Sequence, residues 1–390
     1  MHARRPRLTP AIADTRRAVR ECLDGIPADS LVLVGLSGGA DSLALAAATA
    51  FEAPRAGLRA GAVIVDHGLQ HGSADVAAQA AHTAEQLGLD PVDVRRVEVA
   101  AHGGPEAAAR AARYGAFADA VGEHGASALL LAHTLDDQAE TVLLGLARGA
   151  GARSLAGMAT RTGLPTSGQP AAAARASDAE LPTSGLAGAQ EGQIWATRAA
   201  AGPVLVLRPL LGITRAETEQ ACADAGLEPW NDPHNADPAY ARVRARREVL
   251  PVLERELGPG IAQALARSAE QLREDADALD HFAEEQIEEL AEHAEAGLSL
   301  PVRALEANPP ALRHRLIRLV ISAEFGVSLS RTHTLEVARL VSDWKGQGEL
   351  HVPGVRVERR GARIFFSAAE RAAEGAGAAP HINENDPRGR

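Results

Sequence analysis

Residues 31–46 confine the first half of this chain more than any other segment. The run Leu31-Val-Leu-Val-Gly35 is continuously apolar, as a strand buried on both faces must be. It passes through Ser37-Gly38-Gly39-Ala40-Asp41-Ser42 into an alanine- and leucine-rich helical stretch. A strand, a tight glycine turn and a helix in that order cradle anions. The glycines let the backbone approach a phosphate, the helix N-terminus offers unpaired N–H groups, and Ser37 and Ser42 add hydroxyls. Asp41 puts a carboxylate where a magnesium ion carried by the same phosphates could be held. The loop has no lysine, so it is not a Walker A motif; Lys345 is the only lysine in the chain. A plain glycine-rich turn in any α/β protein is the alternative.

The order that follows is strand 59–66, helix 74–87, strand 92–99, helix 106–123, strand 128–132 and helix 136–147. This alternation predicts a mostly parallel sheet with helices on both faces, and a ligand beyond the carboxyl ends of the strands. Ser37, Asp66, His67 and His133 all fall at such ends. From 160 to 192 the composition turns to Ala, Gly, Pro, Ser and Thr, with Leu-Pro-Thr-Ser-Gly at 164–168 and again at 181–185. That stretch reads as a disordered insertion. Strands at 193–197 and 204–207 and a helix at 214–225 follow, then helices at 241–256 and 260–293. Helices at 311–323 and 331–343 and strands at 349–352, 356–358 and 363–366 close the ordered part. The expected division is an N-terminal helix (1–29), a nucleotide-binding catalytic domain (30–235), a helical region (236–297), a small C-terminal α/β domain (298–367) and a disordered tail (368–390).

Bulk properties narrow the function classes. The net charge of −11 argues against a protein that coats nucleic acid. Yet Arg242, Arg244, Arg246, Arg247 and Arg255 form a basic stripe against Glu248 and Glu254. It suits either an RNA backbone or ion pairs with acidic helices. Two cysteines far apart give no Cys-x-x-Cys for zinc or an iron–sulfur cluster. Arginines interrupt the N-terminal stretch where a signal peptide would need an apolar run, and no spanning apolar segment follows. The expectation is therefore a cytoplasmic protein that uses no membrane.

Two further motifs stand at strand ends. Val65-Asp66-His67-Gly68 could be a structural hydrogen-bonding turn or a nucleotide contact. In His133-Thr-Leu-Asp136-Asp137-Gln138-Ala-Glu140-Thr141 a helix opens with paired carboxylates. Asp136 could cap it, while Asp137 and Glu140, at i and i+3, share one face.

These strings, with Ala109-Arg110-x-x-Arg113-Tyr114-x-x-Phe117, resemble the successive motifs of the tRNA(Ile)-lysidine synthetases within the PP-loop ATP pyrophosphatases. Arg148-Gly-x-Gly151, Leu155-x-Gly157-Met158, Arg208-Pro-Leu-Leu211 and Asn231-Asp-Pro-x-Asn235 extend the likeness, which covers about 30–260. The chain departs from the family at Thr134, where a second His is frequent, and at Val243, where Asn is common. The resemblance implies an adenine nucleotide alpha hydrolase-like fold and an ATP- and Mg²⁺-dependent ligase. Such an enzyme joins L-lysine to C2 of cytidine 34 in tRNA(Ile) with a CAU anticodon. It also implies that Ser37, Gly38, Gly39, Ala40, Asp41, Ser42, Asp66 and His67 hold ATP, with Asp41 on the metal. Asp41, Arg113, His133, Asp137, Glu140 and Arg208 would be catalytic. Within that set Asp137 and Glu140 would take the lysine ammonium, and Arg113 and Arg208 would face phosphate or base. Arg242, Arg244, Arg246 and Arg247 would bind tRNA, and a homodimer is allowed. The competing readings are a tRNA-thiolating relative, disfavoured by the cysteine count, a glutamine-dependent amidotransferase, which would need a glutaminase domain, and a nucleotide sensor without catalysis.

Overall fold

The computed structural model describes residues 8–68, 72–98, 105–149, 151–164, 204–232, 237–294 and 297–369. The chain divides into two compact units, Met1–Ala276 and Asp277–Arg390.

In the first unit, α1 (Pro10–Leu23), β1 (Leu31–Gly35), α2 (Ala40–Glu52), β2 (Arg59–Asp66), α3 (Ser73–Gln86) and β3 (Val92–Arg96) come first. Then follow α4 (Pro105–His124), β4 (Ala128–Leu130), α5 (Leu135–Ala147), α6 (Ala152–Leu155), β5 (Arg161–Gly163), β6 (Leu205–Leu207) and α7 (Arg215–Ala225). Six strands form one sheet in the order β3-β2-β1-β4-β6-β5, and all neighbours are parallel except β5 on β6. The pleat of β1 separates two cores. Val32 and Val34 join one with α1, α2, α3 and α7, while Leu31 and Leu33 join the other with Tyr114, Phe117 and Val121 of α4. Burying one such leucine contributes about 1.5–3 kcal/mol, so helices cover both faces. Because β1 is flanked by β2 on one side and β4 on the other, the chain reverses direction across the sheet there. This is the switch point at which open α/β sheets bind ligands.

The N-terminal helix is integral to this unit: Ile12, Val19, Cys22 and Leu23 lie in the first core. The stretch expected to be unstructured from 160 begins instead with β5. Its Arg-Thr-Gly sequence carries no strand signal; pairing to β6 and two bonds from Arg161 Nη2 to the carbonyls of Cys22 and Asp24 (2.9 and 2.7 Å) hold it. The strand expected at 193–197, and the rest of the insertion from 165, lie outside the described residues, as do Asn235 and the tail from 370. After α7 come α8 (Ala241–Arg244), a π-helical turn (Ala245–Val249), α9 (Leu250–Leu257) and the long α10 (Ile261–Leu290). The division between the units falls within α10.

The second unit is an antiparallel sheet with helices, in the order β7-β8-β11-β10-β9. Its strands are β7 (Glu292–Ala294), β8 (Gly297–Pro301), β9 (Leu350–Val352), β10 (Val355–Arg360) and β11 (Arg363–Ala368). The helices are α11 (Val302–Ala307), α12 (Pro310–Phe325) and α13 (Arg331–Ser342). The expected helix to 293 thus stops at Leu290, and β7, β8 and α11 were not anticipated. Short elements of three to six residues give too little periodicity to read.

Candidate active site

The glycine turn has the predicted geometry. Gly38 takes φ +83°, a left-handed conformation that a side chain would strain. The Ser37 N–H donates to Ser42 Oγ (3.2 Å), which itself donates to the Gly39 carbonyl (2.9 Å) and lies 3.1 Å from Ser37 Oγ. Gly39 is the N-cap of α2 and provides no side chain to the first N–H groups of the helix, which leaves them for an anion. A cavity of about 440 Å³ opens over this turn. It is lined by Ser37, Gly39, Asp41, Ser42, Asp66, His67, Arg113 and His133, so eight residues singled out from the sequence meet in one place. Gly38 and Ala40 shape the turn without lining the cavity. Trp230, which sequence reasoning passed over, also lines it, and its backbone N–H donates to the Gly38 carbonyl at 2.9 Å.

Asp66 sits where β2 ends. Its Oδ1 accepts the Gly68 N–H (2.9 Å), and the Ser73 hydroxyl, followed by that N–H, holds its carboxyl below the ordinary value. Burial, then the neighbouring Arg113, lowers the proton affinity of His67 against the opposing pull of Asp66. His67 Nδ1 is buried with no hydrogen-bond partner among the described residues. A histidine with lowered proton affinity at the cavity wall suits a ligand donor or acceptor.

Beside the cavity three helix N-termini converge. Thr134 and Asp137 form a reciprocal capping box at the start of α5, and Thr214 and Glu217 form another at the start of α7. The Leu135 N–H donates to the Ile213 carbonyl (2.9 Å) and the Arg215 N–H to Asp136 Oδ2 (2.8 Å), which locks the two starts together. From there the Arg215 guanidinium reaches three carboxylates: Asp41 through Nε at 3.3 Å, Asp137 through Nη2 at 3.1 Å and Glu140 through Nη1 at 3.8 Å. Thr218 donates its hydroxyl to Asp41 Oδ1. Arg246, carried by the π-helical turn, pairs with Glu140 (Nε–Oε1 2.6 Å) and stands 3.6 Å from Asp137.

The environments split the three acids. Burial pushes Asp41 and Glu140 up despite their arginine partners. For Asp137 burial pulls the same way, but Arg215, His133, the Thr134 N–H and Arg246 together hold it below the ordinary range. Arg215 was not singled out from the sequence. A cation at the first position of a helix opposes the helix dipole, and that mismatch was the available sign of an acidic partner.

Two groups of predicted residues lie elsewhere. Arg208 does not line the cavity. It is 1% exposed, and its Nη1 donates to the Ala159 carbonyl and Thr162 Oγ1, both at 3.0 Å, tying β6 to the β5 segment. In the basic stripe, Arg246 faces Glu140 rather than solvent, and Arg244 Nη1 caps the carbonyls of Pro238 (2.6 Å) and Ala239 (2.9 Å). Ion pairing with an acidic helix, the alternative reading of that stripe, therefore holds for Arg246, while Arg244 is engaged by nearby backbone carbonyls.

Comparison with known proteins agrees with this architecture. Residues 13–253 match the PP-loop domain family and residues 300–365 the TilS substrate binding domain family. A tRNA(Ile)-lysidine synthase of Leifsonia xyli subsp. xyli is 59% identical over 338 residues, 86% of this chain and 90% of that protein. That of Thermobifida fusca is 48% identical over 353 residues, 90% of this chain and 95% of that protein. With such identity along most of its length, and both family matches, the chain belongs to the tRNA(Ile)-lysidine synthase family.

Proposed function

We propose that this protein uses ATP to attach L-lysine to C2 of cytidine 34 in tRNA(Ile) with a CAU anticodon. The product, lysidine, changes the codon read from AUG to AUA and the amino-acid identity from Met to Ile. The observation that carries this reading is the meeting of Asp41 of the glycine turn with Asp137 and Glu140 on one guanidinium, which sets an anion cradle beside an ammonium-binding acid pair.

In the first step the cytidine C2 oxygen attacks the α-phosphate of ATP and pyrophosphate leaves. The α2 N–H groups and the hydroxyls of Ser37 and Ser42 bear the charge on the phosphates, and Asp66 and His67 border the adenosine. Arg113, in the cavity, faces the phosphate or the base. Among the described residues no three acidic, histidine or cysteine side chains gather to hold a metal by themselves. The single carboxylate of Asp41 fits a magnesium ion that arrives on the triphosphate and takes its other ligands from phosphate and water. Such an ion would neutralise the leaving pyrophosphate.

In the second step the lysine ε-amine attacks C2 and AMP leaves. Lysine in water has a pKa of about 10.4, so the ammonium must surrender a proton to become a nucleophile. Asp137, held ionised, attracts the ammonium, and Glu140, with its raised proton affinity, accepts the proton. Both carboxylates are engaged by Arg215 and Arg246, so the ammonium enters by exchange with a guanidinium. Arg242 and Arg247, with the substrate-binding domain family match at 300–365, support tRNA as the macromolecular partner. No described helix is long and apolar enough to cross a membrane, in keeping with a cytoplasmic site of action.

Incubation with ATP, magnesium and labelled lysine tests the proposal, with tRNA(Ile) of CAU anticodon set against the methionine tRNA. Label entering only the isoleucine tRNA is the expected result. Pyrophosphate release without incorporation would overturn it in favour of another base modification that starts with adenylation.

A further inference from the structure

Arg215 occupies a position that the two-step chemistry does not by itself explain. Its backbone is fixed: the N–H is bonded to Asp136 Oδ2 at 2.8 Å, and the residue opens α7 directly after the Thr214 cap. Its side chain is shared, with Nε on Asp41 of the nucleotide turn and Nη2 and Nη1 on Asp137 and Glu140. Of these three acids only Asp41 lines the cavity over the turn.

We propose that Arg215 is a positioning residue that makes lysine binding depend on the nucleotide, because a single guanidinium serves Asp41 and the acid pair at once. This rests on the lysine reading of Asp137 and Glu140 given above. Occupancy gives the direction. With Arg215 and Arg246 both in place, Asp137 and Glu140 are each already held by a guanidinium, so a lysine ammonium must displace one of them. A triphosphate on the turn adds several negative charges next to Asp41. The guanidinium, at the end of a flexible side chain and rich in donors that fit phosphate, exchanges its contacts with the acid pair for the triphosphate. The pair then keeps Arg246 alone, and one negative charge is free for the lysine ammonium. Nucleotide binding therefore precedes and tightens lysine binding. Linkage requires that lysine tighten the nucleotide by the same factor.

The test is calorimetric titration of the full-length protein with L-lysine, with and without saturating magnesium and a non-cleavable α,β-methylene analogue of ATP. Wild-type protein should bind lysine at least about 5-fold more tightly with the analogue, the lower edge of ordinary coupling. The nucleotide Kd should fall by the same factor in saturating lysine. In Arg215→Gln the lysine affinity without nucleotide should already approach the nucleotide-bound value, and the ratio should fall below about 2. Arg215→Lys keeps the charge at the helix start but cannot span three carboxylates, so it should lose most of the coupling while retaining the fold; it serves if the glutamine variant does not fold. A wild-type ratio of 1, or a wild-type ratio preserved in either variant, overturns the assignment. Absence of lysine binding to wild-type protein under every condition would instead bring down the lysine reading of the acid pair, and this inference with it.

Discussion

Arg246 meets Glu140 through two parallel contacts, Nε to Oε1 at 2.6 Å and Nη2 to Oε2 at 3.1 Å, and the carboxylate they hold is 0% exposed. A forked pair of this kind stabilises little relative to an apolar substitute, yet losing one partner strands the other. Arg246→Ala should therefore cost about 3 kcal/mol in urea unfolding. Adding Glu140→Gln should recover part of that loss, since the stranded group is then neutral. If Arg246 served only an RNA backbone, the single substitution would leave the unfolding midpoint unmoved.

Arg247, an exposed residue in the π-helical turn, offers the electrostatic test for tRNA. A phosphate contact there contributes one unit to the salt dependence of binding. Arg247→Ala should raise the tRNA KM several-fold and reduce the slope of log K against log salt by about 1, with the ATP KM unchanged. Equal changes for both substrates would point to a disturbed fold.

Asp137 gives a pH prediction whose sign follows from its depressed proton affinity. A carboxyl that ionises more readily folded than unfolded adds stability above its ordinary value of 3.8, and that contribution disappears as pH falls through the lower folded value. Asp41 and Glu140, shifted upward, act in the opposite sense: their contributions are present in acid and lost as pH rises. The overall acid profile therefore mixes both signs. The difference between wild type and Asp137→Asn isolates one of them. It should be largest near neutral pH and shrink in acid below about pH 3.8; a difference that grew on acidification would contradict the arrangement of Arg215 and His133 around this carboxylate.

Much of this was legible because it is local. The apolar run of β1 and the turn Ser37–Ser42 each act within a few positions, so their sequence states their structure; at α5 the cap is Thr134 with Asp137, while Asp136, which the sequence suggested as the cap, binds the Arg215 N–H instead. The partnership of the acids was not legible. Arg215 reaches Asp41 across 174 positions and Asp137 across 78, and Arg246 reaches Glu140 across 106. A stripe of arginines looks the same whether it awaits a phosphate or already holds a carboxylate. Arg208 misled for a related reason: in the Arg-Pro-Leu-Leu string it reads as a catalytic cation, whereas its neighbours, the Ala159 carbonyl and Thr162, are supplied by a strand too short to foresee.

Arg208 accordingly should matter first to folding. It is almost fully buried, and both bonds from Nη1 run to the segment that carries β5. Arg208→Met keeps much of the volume and removes the donors, losing the bonds to the half-buried Ala159 carbonyl and Thr162 hydroxyl at about 0.5–1.5 kcal/mol each. Unfolding by urea should register the loss, while the ATP Kd of the folded fraction stays within about 2-fold, a shift of under 0.5 kcal/mol. A large rise in that Kd at unchanged stability would return Arg208 to the phosphates.

Gly157 tests how α5 is held from behind. Gln138 lies between the two acids of α5, and its amide forms a pair of bonds with Met158: Nε2 donates to the carbonyl (2.9 Å) and Oε1 accepts the N–H (2.7 Å). Arg273 of α10 donates to the same Met158 carbonyl at 2.7 Å, so one turn is clamped from two helices. Gly157 makes this approach feasible: its φ is +63°, and a Cβ there would lie 2.5 Å from Gln138 Oε1. Gly157→Ala should cost about 1–2 kcal/mol for the left-handed backbone and about 0.5–1.5 kcal/mol for each displaced hydrogen bond. Because Gln138 shares its helix turn with Asp137, the same variant should raise the lysine KM more than the ATP KM. Gln138→Ala in the Gly157→Ala background relieves the clash without restoring the clamp, so it should regain stability and leave the lysine KM high; recovery of both would mean that the clamp has no bearing on the acid pair.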